Sequence, residues 1–190
     1  MSERQCSTSL KVKIAKRIVS WVLSDIRKLV PEGTPLIEPS PSSPEGKRVP
    51  EVIAVSGHLG WHALKLLVIL PYILKTMYYA RKCIKSIRKN PLNAKKKANE
   101  EFFKELETHA RKLGISSIGY TDVPREYIFR NSVLLFKNAL VLIMDMDKKR
   151  IKKVPSITAG IEVWRTYADL TKAVYKFSEF MRKKGVQCTV

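Results

Sequence analysis

Two carboxylates, Asp145 and Asp147, stand two positions apart where the apolar run Ala-Leu-Val-Leu-Ile-Met ends at Met144. On an extended strand that spacing points both side chains the same way, so the pair could share a proton or hold a cation. The C-terminal end of a strand in an open α/β sheet is also where ligands bind. Against this stand Lys148, Lys149, Arg150, Lys152 and Lys153, which follow at once and could occupy both carboxylates as ordinary surface ion pairs. Downstream, Trp164 and Tyr167 place two bulky rings within one helical turn, as core side chains or as the wall of a cofactor pocket. Asp145, Asp147, Trp164 and Tyr167 are therefore the candidate cofactor-lining residues. No catalytic group is assigned. His58 and His62 share a helix-face spacing but lack a third ligand nearby, and Cys6, Cys83 and Cys188 lie too far apart for a local metal knuckle.

The elements that must position these residues occupy residues 138–190, which read as strand, basic loop, long helix and the opening of a second strand. The run from Leu140 to Met144 is continuously apolar, as in a strand covered on both faces. The helix, over residues 161–184, repeats Ile161, Trp164, Ala168, Thr171, Val174, Tyr175 and Met181 at near-helical spacing and stops at Gly185. Val-Gln-Cys-Thr-Val then begins another strand, and the expectation is the front part of a larger α/β fold. Just upstream, Phe102, Phe103, Leu106, Ala110 and Leu113 mark a helix over residues 98–113, with Gly114 placed for a C-cap. A strand over residues 115–120, a turn and a short helix at residues 124–129 complete this unit.

The front of the chain is different in kind. Residues 10–30 alternate apolar and basic positions at helical spacing, as in a helix packed on the following domain or lying on a membrane surface. Six prolines between Pro31 and Pro50 make a linker or an extended strap. Residues 52–87 are apolar around Leu66 to Leu74, but Lys65 and Lys75 bracket that run too closely for a bilayer-spanning helix. A helix pair docked on the main domain and an interfacial segment both remain open there. The organisation expected is residues 1–30 basic helix, 31–51 linker, 52–97 basic helical region and 98–190 the α/β (α+β) unit.

The whole chain of 190 residues is 45% hydrophobic and carries a net charge of +19. Ten of its cations fall between Glu51 and Glu100, where no acidic residue occurs, so a polyanionic surface is an expected partner. Nucleic acid is the weaker choice because aromatics do not interleave with the basic runs as stacking platforms would. Charged residues inside the first apolar run exclude a secretory signal. The expected location is cytoplasmic, peripheral on a membrane if the front helices touch lipid.

The order of Leu113-Gly-Ile-Ser-Ser-Ile-Gly-Tyr-Thr121, the Asn138-Ala-Leu-Val-Leu strand and Arg165-Thr-Tyr-Ala-Asp-Leu170 resembles the opening of the corrinoid-dependent, iron–sulfur reductases. That group includes epoxyqueuosine reductases and reductive dehalogenases, and the closest likeness is to ferredoxin-domain relatives of anaerobes. The resemblance covers about residues 98–190. It implies an incomplete nitroreductase-like core and reduction through cobalamin, with electrons from iron–sulfur clusters. The Cys-x-x-Cys clusters of such proteins have no counterpart here, and Thr166 and Ala168 flank Tyr167 where an Asp-Tyr-His group is usual. The expectation is thus an N-terminal portion or split half, with no cofactor held by this chain alone. A C-terminal half or a ferredoxin-like protein would supply the rest. A peripheral membrane-binding protein is the alternative.

Overall fold

The computed structural model describes residues 26–44, 63–94, 98–130 and 132–190. The expected helix over residues 10–30 up to its last turn, the His58 and His62 pair, Cys6 and Lys95 to Lys97 lie outside the described residues. Among the described residues there are four α-helices: α1 (Ala63–Lys85), α2 (Glu100–Lys112), the single turn α3 (Lys148–Ile151) and α4 (Ile157–Lys183). Two strands, β1 (Ser117–Asp122) and β2 (Asn138–Ile143), pair antiparallel with Ser117 opposite Ile143 and Asp122 opposite Asn138. The class is mixed helix and sheet.

Local chemistry sets the limits of α2. The Asn99 side chain accepts the Phe102 N–H at 3.0 Å, and Glu100 and Glu101 sit in the first turn, where they complement the helix dipole. Its far end closes as expected at Gly114, whose φ of 82° suits glycine. The Ile115 and Gly114 N–H groups return to Ala110 and Arg111. Ile115 then drops into the core at 2% exposure, so β1 starts two residues later than the pattern suggests.

Helix α4 also departs from the expected limits. Ser156 accepts the Ala159 N–H at 3.3 Å and nucleates the helix at Ile157, four residues ahead of the apolar periodicity. Its end repeats the design of α2, with Gly185 at φ 83° and Val186 N–H returning to Met181.

The core forms where α2 and α4 meet one face of the sheet. Leu106, Ala110, Ile115, Ala173 and Phe177 are buried together, with Ile118, Leu140, Leu142 and Met144 packed against them. The expectation that β2 is covered on both faces is corrected. Val141 and Ile143 are 49% and 50% exposed, so β2 alternates as an antiparallel strand with one covered face does.

The second strand expected after Gly185 is also absent, and no parallel strand–helix–strand unit forms among the described residues. Side chains claim that backbone instead. Asn90 Oδ1 accepts the Cys188 N–H at 3.2 Å, Arg182 donates to the Cys188 carbonyl at 3.3 Å, and Gln187 donates to the Pro91 carbonyl at 2.8 Å.

Against the outer side of α4 lies α1. Lys75 meets Asp169, Tyr79 meets Tyr175 and Asn90 meets Arg182, so both chains advance in the same direction along the contact. One docked helix followed by a 3-10 turn at Ser86–Lys89 stands in the described part of residues 52–87, where a docked helix pair and an interfacial segment were both open.

The described part of the proline-rich segment is the extended strap. Ile37 and Leu134 exchange backbone hydrogen bonds at 2.8 and 3.1 Å. Arg125 and Arg130 donate to the Glu38 and Ser43 carbonyls, and fully buried Ser43 donates to the Arg125 carbonyl. Backbone groups that a proline-rich stretch cannot pair internally are satisfied across the two segments.

Candidate functional site

β2 ends at Ile143, so Asp145 and Asp147 lie beyond the strand and no strand alternation aligns them. Asp147 is the N-cap of α3: its Oδ1 accepts the Lys149 and Arg150 N–H groups at 2.8 and 3.3 Å. Its other oxygen lies 3.8 Å from Arg150. The basic segment expected to be a loop thus contains one helical turn, because Asp147 caps it. Asp145 is exposed. No group of three or more potential metal ligands occurs among the described residues.

The carboxylate that organises this region is one the sequence reading passed over. Glu162, on the first turns of α4, is fully buried. It accepts the Asp147 N–H at 2.9 Å and two hydrogen bonds from Arg165 at 2.9 and 2.6 Å, with Arg150 at 3.7 Å. The Arg165 hydrogen bonds, opposed by burial and assisted by the Asp147 N–H and Arg150, hold its carboxyl down at about 2. Arg165 reaches on to Asp169 at 3.6 Å, and Asp169 to Lys75 at 2.7 Å. A line of alternating charges therefore ties the end of β2 to α3, α4 and α1. A carboxylate so firmly ionised is a poor proton acceptor at neutral pH; its role is to fix the β2–α4 connection.

Trp164 and Tyr167 stack edge to face on α4 with ring centres 6.2 Å apart; Trp164 is partly buried and Tyr167 is 51% exposed. Neither they nor Asp145 and Asp147 line the cavity that lies beside α2. That cavity, of about 960 Å³, opens between the inner face of the sheet, α2, α4 and residues 186–190. Phe102, Phe103 and Tyr120 form one wall, and Leu142, Val174 and Phe177 part of the rest. Phe103 and Tyr120 meet edge to face at 5.4 Å, and the Tyr120 hydroxyl reaches Glu107 at 3.4 Å. Asn138, Gln187 and Thr189 add polar groups to its lining. An apolar cleft with aromatic walls and a few polar groups has the chemistry of a site for an organic molecule. The sequence signals for it were present in Phe102, Phe103 and Tyr120, but their meeting depends on the antiparallel pairing that brings β1 beside α2.

Cys83 and Cys188 are free and buried. Desolvation pushes the Cys83 thiol up to about 11 and raises that of Cys188. Between α4 and residue 188, Arg182 is 9% exposed and donates only to neutral oxygens, those of Asn90, Ser178 and Cys188. No protein family matches this chain, nor does any curated protein or solved structure.

Proposed function

We propose that this chain is the N-terminal portion, or one half of a split form, of a corrinoid- and iron–sulfur-dependent oxidoreductase with a nitroreductase-like core, inactive without the remainder. The reading rests on the resemblance over residues 98–190. The observation that carries it further is the wide aromatic cleft on the inner face of a two-stranded sheet. A flat macrocycle would lie against Phe102, Phe103 and Tyr120, with the Asn138 side chain offering hydrogen bonds to its amide fringe. When bound, a corrinoid would supply electrons through low-valent cobalt.

The iron–sulfur clusters do not fit the described residues. Cys83 and Cys188 are buried, protonated thiols, and no ligand set surrounds either. In this reading a second polypeptide brings the clusters and the opposite wall of the cleft. The half-exposed outer face of β2, at Val141 and Ile143, offers it an apolar contact.

The test mixes the purified chain with cobalamin under reducing conditions, with and without the polypeptide encoded immediately downstream, and follows the corrinoid absorption spectrum. A spectral change with the partner alone is expected. No change in either mixture would reject the proposal.

A further inference from the structure

One face of α1 has no described neighbour and changes character along its length. Leu67, Leu70, Pro71, Leu74 and Tyr78 recur at three- and four-residue spacing and are exposed, Leu67 at 62% and Leu74 at 56%. From Leu67 to Tyr78 this stripe runs about 16 Å. Beyond it the same face continues into Lys82 and Lys85, and the next turn presents Arg88 and Lys89, all exposed. The Lys82 ammonium sits 4.7 Å above the Tyr78 ring and 5.4 Å from the Tyr175 ring of α4, at the border where the free face meets the α4 contact, so the junction between apolar and cationic surface is an aromatic ring beneath a positive charge. Pro71 lies on the exposed side and brings no N–H to the Leu67 carbonyl, a gap that water or a lipid headgroup can fill.

No described helix is long and apolar enough to cross a membrane, and the opposite side of α1 is committed to α4 through Lys75, Tyr79 and Cys83. We propose that α1 lies flat on an anionic lipid surface, its leucine stripe at the acyl boundary and its cationic end among the headgroups. Charge and order of chemistry select this occupant. No carboxylate occurs in the sequence between Glu51 and Glu100, and Lys82, Lys85, Arg88 and Lys89 gather at one end of α1. A leucine stripe with a tyrosine at its border and cations beyond is the sequence of environments met at a headgroup–acyl interface.

The full chain, incubated with phosphatidylcholine vesicles containing or lacking phosphatidylserine, is expected to co-sediment with the anionic vesicles only and to dissociate as salt rises. Leu67→Glu with Leu74→Glu is expected to weaken this binding more than ten-fold. Replacing Lys85, Arg88 and Lys89 by Gln is expected to weaken it about five-fold per charge, on the order of a hundred-fold together. All five positions are exposed, and unchanged helical circular dichroism confirms that the variants fold. Binding that survives the paired Glu substitutions would overturn the proposal, because another basic segment would then hold the lipid. So would absence of vesicle binding, or a dimer or a complex with an acidic protein abolished by the same substitutions.

Discussion

Glu162 shows how much one side chain can organise. Replacing it by Gln weakens the two Arg165 hydrogen bonds and the Asp147 N–H contact and removes the charge that Arg150 faces; replacing it by Ala removes all of them. Since the two arginines are about half in water, the expected cost of the Ala variant is about 2 kcal/mol, below that of a fully buried pair. Chemical denaturation at pH 7 measures it directly. Its pH dependence has a definite sign. A carboxyl held near 2 when folded and near 4.5 when unfolded stabilises the fold fully above pH 4.5 and progressively less as pH falls towards 2. Glu162→Gln should therefore flatten the loss of stability across that window.

His109 acts at a higher pH. Its ring stacks on Phe180 at 4.3 Å, its buried Nε2 has no hydrogen-bond partner, and burial lowers its pKa. The neutral ring stabilises the fold above its unfolded pKa of about 6.5, and that contribution falls as pH drops through its folded value. His109→Phe is expected to preserve the stack and to remove the part of the stability loss that begins below about pH 6.5, as read by thermal melts across pH.

The residues that the sequence singles out lie apart from the cleft. Asp145, Asp147, Trp164 and Tyr167 are near one another in sequence, but Asp147 is spent on a helix cap and none of the four reaches the cleft. Glu162 was legible only in part: Arg165 one turn along hinted at a pair. Its burial depends on Arg150 and the Asp147 N–H, which come from outside α4.

Among elements, those closed by local chemistry could be read and those closed by distant contacts could not. Gly114 and Gly185 mark helix ends because their positive φ is a local need. Gly114→Ala meets only Met144 Cε, at 3.8 Å, so its expected cost of about 1 kcal/mol comes from the backbone and should leave the core intact. Ser156→Ala is expected to cost about 1 kcal/mol by loss of the cap and to fray the first turn of α4, which amide hydrogen exchange would detect. The final Val-Gln-Cys-Thr-Val has β-forming residues, yet Asn90, Arg182 and Gln187 fix it as an irregular segment. Likewise the continuous apolar run of β2 suggested a strand buried on both faces, whereas the described sheet has helices against one face and leaves Val141 and Ile143 half exposed.

For the molecule as a whole, α4 is the common support. Its one side holds the sheet and α2 through Ala173 and Phe177, and its other side holds α1 through Asp169 and Tyr175. The cleft and the leucine stripe of α1 thus belong to opposite sides of one helix, and lipid contact on α1 would leave the cleft open to a partner.

In the proposed function the aromatic cleft receives a corrinoid once a second polypeptide completes it. Val174 lines that cleft and is partly exposed, so Val174→Trp fills it while leaving the buried cluster in place. The decisive measurement is the cobalamin difference spectrum of the completed complex made with wild-type chain, with Val174→Trp and with Tyr167→Phe. A spectral change is expected for wild type and Tyr167→Phe, and its loss for Val174→Trp with the complex still assembled. An unchanged spectrum with Val174→Trp, or a loss confined to Tyr167→Phe, would contradict the proposed function.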